Sequence, residues 1–505
     1  MRAGRICVLS IALALAVVSA RDDAAAQRIA PVATEEFHAD AGVEQVWNDV
    51  NYNALLIAIA RLEEHGLDPE HYGLSSLRTL RTDEDARDRV ATASWLTAAA
   101  HLLYGKTDPV MLEPSWAVAP READFADALL TALADGTVGR SLEAFAPRQP
   151  LYAAMRDELV RQQNLGEDPI VRIDEGPTLR LGDTGPRVAA LRQRLQQLGW
   201  LPEAGGGPDF DEGMAIAVEG FQASEGQEAD GIVGPATLRA LNRSPSERAD
   251  QLRVNMERFR WLPTELGRRH LRANIANFDV TAFEDGEPVR TYLTIVGRPY
   301  RATPVFSDEI EYIVFNPWWE TPRSLAVADK LPLFQSDPGA VDQLGFQVLD
   351  ADGNRVDAST IDWNSLSRSN FPYRIRQAPG PMNALGLVKI MFPNPHNVYI
   401  HDTPTRGLFS QRQRAFSSGC LRTQDPIALA EWLLEETDGW NADRIDMALE
   451  TGRENRVDLT AHVPVHILYQ TVIADGAGGV RFLDDIYQRD PAVLSGLETP
   501  PPRGD

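Results

Sequence analysis

The hydrophobic periodicity of this chain changes character once, near Leu252, and that switch limits the folds open to it. Before it, apolar residues recur at helical spacing. Leu55, Leu56, Ile59 and Leu62 share one face of a stretch that runs from Asn53 and stops at Gly66; Val90, Leu96, Ala99 and Leu103 do the same between Asp83 and Tyr104. Phe125–Leu133 and Leu151–Leu165 add two more amphipathic stretches, and His65, His71 and His101 among them read as packing or surface residues rather than ligands. After the switch, side chains alternate. Leu271–Phe283 reads as a strand, Asp285-Gly286 as a turn and Tyr292–Val296 as its partner. Further strands are expected at Tyr312–Asn316, Gly386–Phe392, Asn397–His401 and Val463–Gln470, with one helix, Pro426–Glu436, among them. A chain of 505 residues carrying both patterns is several domains, not one core. The class expected is multi-domain α+β: a helical N-terminal scaffold over 27–170, a small helical module over 171–245, a β-rich, sandwich-like domain over 246–490, and a Pro-rich tail over 491–505.

The middle module is the most strongly patterned part. Gly185-Pro186 opens a helix bearing Val188, Leu191, Leu195 and Leu198, which Gly199 closes. A second helix carries Ala217, Val218, Phe221 and Gln222; Asp230-Gly231 turns the chain, and Gly234-Pro235 opens a third with Leu238 and Leu241. This resembles the three-helix peptidoglycan-binding module of wall hydrolases. The resemblance implies wall binding, with a plain spacer as the alternative.

The first residues read as an export signal: Arg2 and Arg5, the apolar run Ile6–Val18, and small-residue cleavage sites after Ala20 or Ala26. That run is short of the roughly 20 residues a membrane span needs, and no comparable run follows, so no transmembrane segment is expected in the mature chain. Seventy-three acidic against 49 basic residues give a net charge of −24, which disfavours nucleic acid and anionic lipid as partners. Of two cysteines, Cys7 leaves with the signal, so Cys420 is a lone thiol in an exported protein.

The surroundings of Cys420 carry the chemistry. The strand ending at His401 is followed nineteen residues later by Cys420, in Ser417-Ser418-Gly419-Cys420-Leu421-Arg422. A cysteine nucleophile needs a base, donors for a developing oxyanion, and a glycine that lets backbone approach the substrate. All three residue types stand in one window. The helix expected from Pro426 follows closely, and its positive end is expected to lower the thiol pKa together with His401.

Histidine at a strand end, then Ser-X-Gly-Cys followed by Arg, resembles the L,D-transpeptidase (YkuD-type) catalytic domain, with Ser418 where the commonest pattern has His. Leu252–Arg258, Val296–Pro299, Thr303–Phe306, His401–Pro404 and Asp484–Tyr487 are similar to the long, multi-domain branch, over about 252–490. The resemblance implies a two-step acyl exchange on peptidoglycan. Cys420 would attack a tetrapeptide stem, release D-Ala, and pass the thioester to the side-chain amine of a second stem as a 3→3 cross-link. His401 would be the base, Gly419 and Cys420 N–H the oxyanion donors, and Asp402 or its backbone the group that orients the imidazole. Arg422 would hold a substrate carboxylate or be a surface arginine; Tyr399 would line the donor site or pack in its strand; Ser417 and Ser418 would meet substrate. The insertion at about 318–384, with a helix over Ser324–Phe334, is expected to be a lid, with Trp318 and Trp319 packing at its root. No cofactor or metal is implied. The expected protein is a monomer in the periplasm, acting on stems as donor and acceptor in wall biogenesis and cell shape.

Alternatives on the same scaffold are an L,D-carboxypeptidase, with water as acceptor, or an enzyme that anchors or detaches wall proteins. A non-catalytic wall-binding protein would make Cys420 and His401 incidental. A zinc peptidase would need His462 and His466, but alternation around Pro464 places both on a strand, about 13 Å apart, too far for one zinc.

Overall fold

The computed structural model describes residues 46–80, 84–116, 121–166, 170–202, 207–263 and 265–501. The segment read as an export signal, with its cleavage sites and Cys7, lies outside the described residues. The chain forms two compact units, one from residues up to Asp108, Glu122–Arg148 and the stretch from Val493, the other from Pro109–Arg121 and Gln149–Ala492.

The first unit is helical. Asp49–Ala60, Glu84–Tyr104 and Phe125–Ala134 bury Leu55, Ile59, Trp95 and Leu129. Asn48 and Asp124 cap two of these helices by accepting backbone N–H bonds, as short polar residues do at an N-cap. The chain end, read as a tail from residue 491, instead begins as a helix, Asp490–Glu498. Val493 and Leu497, four apart and both buried, give it an apolar stripe that its later prolines obscure. The last helix of the expected scaffold, Pro150–Asn164, belongs to the second unit, where the Tyr152 hydroxyl accepts a hydrogen bond from buried Arg260 (3.1 Å).

Within the second unit, helices Pro186–Gln197, Glu212–Ser224 and Pro235–Leu241 close a core of their own around Leu191, Leu195, Met214, Val218, Phe221 and Leu241. Buried Arg194 is satisfied inside it, donating to the carbonyls of Leu241 (2.7 Å) and Arg243 (2.8 Å).

The β-rich part contains nine strands of one sheet: β1 Arg269–Asn274, β2 Asp279–Glu284, β3 Glu287–Gly297, β4 Phe306–Phe315, β5 Val388–Met391, β6 Ile400–His401, β7 Ala415–Ser417, β8 Leu421–Thr423 and β9 Asn455–Leu468. Their order is β7-β3-β8-β6-β5-β4-β9-β1-β2, and β2 also pairs with β3. The expected β-rich class is therefore realised with a sheet that curls until its ends meet, which removes the edges an open sheet exposes. The stretch read as one strand, Leu271–Phe283, is a hairpin, β1–β2. Its turn contains no glycine: Phe278 itself takes φ 58°, so neither alternation nor turn composition announces it.

Between β4 and β5 the insertion forms a second sheet, Trp319–Glu320, Arg374–Gln377, Phe346–Leu349 and Arg355–Val356 in that spatial order, over a core including Phe334, Trp363 and Phe371. The helix expected over Ser324–Phe334 is broken into Arg323–Leu325, a π-helical turn Ala326–Lys330, and Leu331–Ser336. Pro332 is the cause. It lacks an N–H, and its ring collides with the carbonyl four residues back in a regular helix.

Candidate active site

Strand register gathers the expected site residues. His401 on β6 stands opposite Lys389 on β5 and Arg422 on β8. Side chains two apart on a strand share a face, so Tyr399 joins His401 and Cys420 joins Arg422 on that same face. The alternate residues, Ile400 and Leu421, are fully buried on the other face. Lys389, Tyr399, His401, Cys420 and Arg422 thus form one cluster at the point where β6 and β8 run parallel.

Each member is held in place. His401 is buried, and its Nδ1 lies 2.5 Å from the Asp402 carbonyl. A carbonyl only accepts, so Nδ1 carries the proton and Nε2 is left as the basic nitrogen. The backbone of Asp402, not its carboxylate, therefore orients the ring. The carboxylate accepts instead from Leu387 N–H (2.9 Å), Thr403 N–H (2.7 Å) and Arg406 Nη2 (2.7 Å). Gly386, with φ 60°, makes this approach feasible, since a Cβ there would lie 2.2 Å from Asp402 Oδ2. The half-buried Cys420 thiol points to the Asn397 carbonyl (3.6 Å), and Tyr399 lies beside the sulfur. Tyr399 packs against the core of the insertion that contains Trp319, and Lys389 Nζ sits 4.2 Å from the centre of the Tyr399 ring.

Electrostatics set the resting protonation. Burial pushes His401 down to about 3, helped by the charges of Arg422 and Lys389 and opposed by the Asp402 carbonyl. Burial also pushes the Cys420 thiol up, against Tyr399 and the two cations. The resting site is a neutral thiol and a neutral imidazole, and no hydrogen bond joins them among the described residues. This reverses the expected lowering of the thiol pKa. The helix Pro426–Leu434 begins beyond β8, and the Asp425 carboxylate caps its positive end (3.4 Å to Ala428 N–H), so that end does not serve the sulfur.

The loop before Cys420 differs from expectation in three places. The Gly419 N–H donates to Ser417 Oγ (3.1 Å), so it does not face a substrate oxyanion. Ser417 Oγ in turn donates to the Cys420 carbonyl (2.6 Å), which makes it a brace of the turn and not a substrate contact. Ser418 is exposed and accepts from Arg301 Nη1 (3.0 Å), whose guanidinium also pairs with Asp329 of the insertion (2.8 Å). Gly419, at φ 119°, sits where a side chain is strained, and its carbonyl accepts from buried Thr303 (2.9 Å). Thr303 Oγ1 also accepts from Gly297 N–H (2.9 Å), and Tyr487 donates to the Gly297 carbonyl (2.5 Å). The scattered motifs at Val296–Pro299, Thr303–Phe306 and Asp484–Tyr487 are thus the clamp around the cysteine loop. Lys389 is the site residue that sequence reasoning missed; its signal was a lone charge between Val388 and Ile390. Trp319 packs as expected, in the core against which Tyr399 rests. His462 and His466 both lie on β9, and His466 spends its ring nitrogens on Ser307 (2.7 Å) and the Leu266 carbonyl (2.9 Å).

Residues 268–458 match the family model described as "L,D-transpeptidase catalytic domain". Residues 268–458 are thus similar to the YkuD-type L,D-transpeptidase catalytic domain. Residues 184–241 match "Putative peptidoglycan binding domain", and 32–159 match "Scaffold domain". A Haemophilus influenzae protein named "Putative L,D-transpeptidase" is 35% identical over 240 residues, 48% of this chain and 48% of that one. The chain thus spans about half the length of this curated relative. Solved L,D-transpeptidases of Xylanimonas cellulosilytica (17% identity, 58% of this chain, 99% of that one, TM-score 0.18) and Stackebrandtia nassauensis (13%, 59%, 96%, 0.20) align at scores too low to speak for a shared fold. Fold class rests on the family models and on the sheet itself: a helical N-terminal region, a helical wall-binding module and a β-rich catalytic domain.

Proposed function

We propose that the protein is an exported, periplasmic L,D-transpeptidase that forms 3→3 cross-links between peptidoglycan stems with Cys420 as nucleophile. The observation that carries this reading is the shared face of Tyr399, His401, Cys420 and Arg422, with His401 Nε2 left basic. With both groups neutral at rest, attack and proton transfer are coupled. As sulfur bonds to the carbonyl carbon of stem residue three, the thiol proton passes to His401 Nε2. The C–N bond then breaks, and the proton leaves on the amine of D-Ala. The acceptor stem's side-chain amine attacks the thioester and gives a proton to His401; the C–S bond breaks, and His401 returns that proton to the departing sulfur, which restores the thiol. The Cys420 N–H is the backbone donor for the oxyanion, since Gly419's is engaged within the loop. The insertion acts as a lid through its core on Tyr399 and Asp329 on Arg301, and the 184–241 module holds the enzyme on the wall. A monomer suffices for this chemistry. Mass analysis of products from purified tetrapeptide stems tests the reading: cross-linked dimers support it, whereas tripeptides alone make the enzyme a carboxypeptidase.

A further inference from the structure

A cavity of about 500 Å³ opens between β3, the turn Arg406–Ser410 and Gln424–Asp425, away from the site just described. Arg290, Tyr292 and Thr294 alternate on β3, and Thr294 pairs with Thr423, which faces opposite to Arg422. The cleft therefore lies across the sheet from Cys420. Its polar groups are mostly donors with capacity to spare. Arg406 gives Nη1 to the Gln424 carbonyl (2.8 Å) and Nη2 to Asp402 (2.7 Å), and Arg290 gives Nη2 to Asp425 (3.0 Å), yet both side chains remain half-exposed. Tyr292 is 2% exposed, lines the cleft, and its hydroxyl has no hydrogen-bond partner among the described residues. A buried hydroxyl left unpaired in a protein interior is costly and calls for a partner. Two guanidinium groups line the cleft beside the unpaired phenol, and the acceptor that guanidinium groups match with two oxygens is a carboxylate. The volume is that of a ligand pocket and far exceeds what a bare carboxylate fills.

We propose that this cleft binds the free carboxylate of a peptide stem other than the one acylated on Cys420. This rests on the proposed substrate, and it adds a second holding point for the wall polymer. The cleft is also tied to the catalytic histidine, because Arg406 grips the Asp402 carboxylate while the Asp402 carbonyl orients His401.

The test is hydrogen exchange by mass spectrometry on the full chain carrying Cys420→Ala, titrated with a purified tetrapeptide stem, its carboxyl-amidated form, or D-alanine. The acid stem should protect the peptides covering 288–293 and 405–411. Amidation, Arg290→Ala or Tyr292→Phe should each raise the half-saturating concentration at least threefold; Tyr292→Phe keeps the ring and so separates binding from folding. Equal protection by acid and amidated stems, or no change in the two variants, overturns the site. Protection by D-alanine at the same concentrations assigns the cleft to a small free carboxylate and overturns the stem assignment. Acylation of wild-type Cys420, measured in parallel by intact mass, separates the two readings. An adduct without carboxylate-dependent protection sinks the cleft alone, and protection without an adduct sinks the reaction alone.

Discussion

Replacing Asp402 by Asn perturbs the structure that holds His401 without removing the group that touches it. The carboxylate is 3% exposed and accepts three hydrogen bonds, one on Oδ2 from Leu387 N–H and two on Oδ1 from Thr403 N–H and Arg406. An amide of the same shape keeps an acceptor on one side only. Its NH₂ then faces the Leu387 N–H, leaving a buried donor unpaired at about 1–3 kcal/mol. Losing the charge weakens the Arg406 bond as well, but that side chain is 52% exposed, so its share is screened to about 1 kcal/mol or less. The sum is about 1–4 kcal/mol of local stability. Unfolding of so large a chain is not two-state, so native-state hydrogen exchange is the suitable assay. At about 1.4 kcal/mol per tenfold, protection of the peptide containing Leu387 should fall about 5- to 700-fold in Asp402→Asn. Turnover should fall as well, because the Asp402 carbonyl loses its anchorage. Arg406→Ala should lower protection less than tenfold. Unchanged exchange at Leu387 in Asp402→Asn, or an equal loss in Arg406→Ala, would refute the reasoning.

Two further outcomes follow from the electrostatics. Because burial raises the Cys420 thiol, its iodoacetamide alkylation rate should inflect above the free-thiol value near 8.5, and Tyr399→Phe, which removes a hydroxyl that favours thiolate, should move the inflection higher still; an inflection below the free thiol contradicts the resting state described. His401 falls to about 3 in the folded protein against about 6.5 unfolded, so the unfolded chain binds its proton first. Its contribution is intact above about pH 6.5 and is lost as pH falls toward 3. Asp279, pushed up to about 6, works in the opposite sense, so the comparison is wild type against His401→Gln. The wild type should lose up to about 1.4 kcal/mol more per pH unit through that window; parallel stability curves rule this out.

The sequence made the site legible where residue type and strand register coincide. Residue type singled out His401 at a strand end and Cys420 and Arg422 in the segment that follows, whereas the short strand Leu421–Thr423, which sets them beside His401, was not expected. What stayed hidden depends on contacts between distant segments. Thr303 bonds Gly419 of the cysteine loop from 116 residues away along the chain, and Tyr487 bonds Gly297, beside that clamp, from 190 residues away. The direction of the thiol pKa was misread for a related reason: local sequence shows a neighbouring helix start, whereas burial arises only in the folded packing. The β1–β2 turn escaped notice because Phe278 bears a conformation that glycine usually announces. The final helix escaped because two buried side chains, Val493 and Leu497, are all that mark it among prolines.

The central claim is that Cys420 carries the acyl group and His401 takes its proton. Intact-mass spectrometry of the enzyme, quenched in acid during turnover of a purified tetrapeptide stem, tests it most directly. The account predicts a single adduct on Cys420 with the mass of the stem minus D-Ala, abolished in Cys420→Ala and slowed at least a hundredfold in His401→Ala. Cross-linking by Cys420→Ala, or an adduct that forms at the wild-type rate without His401, would contradict it.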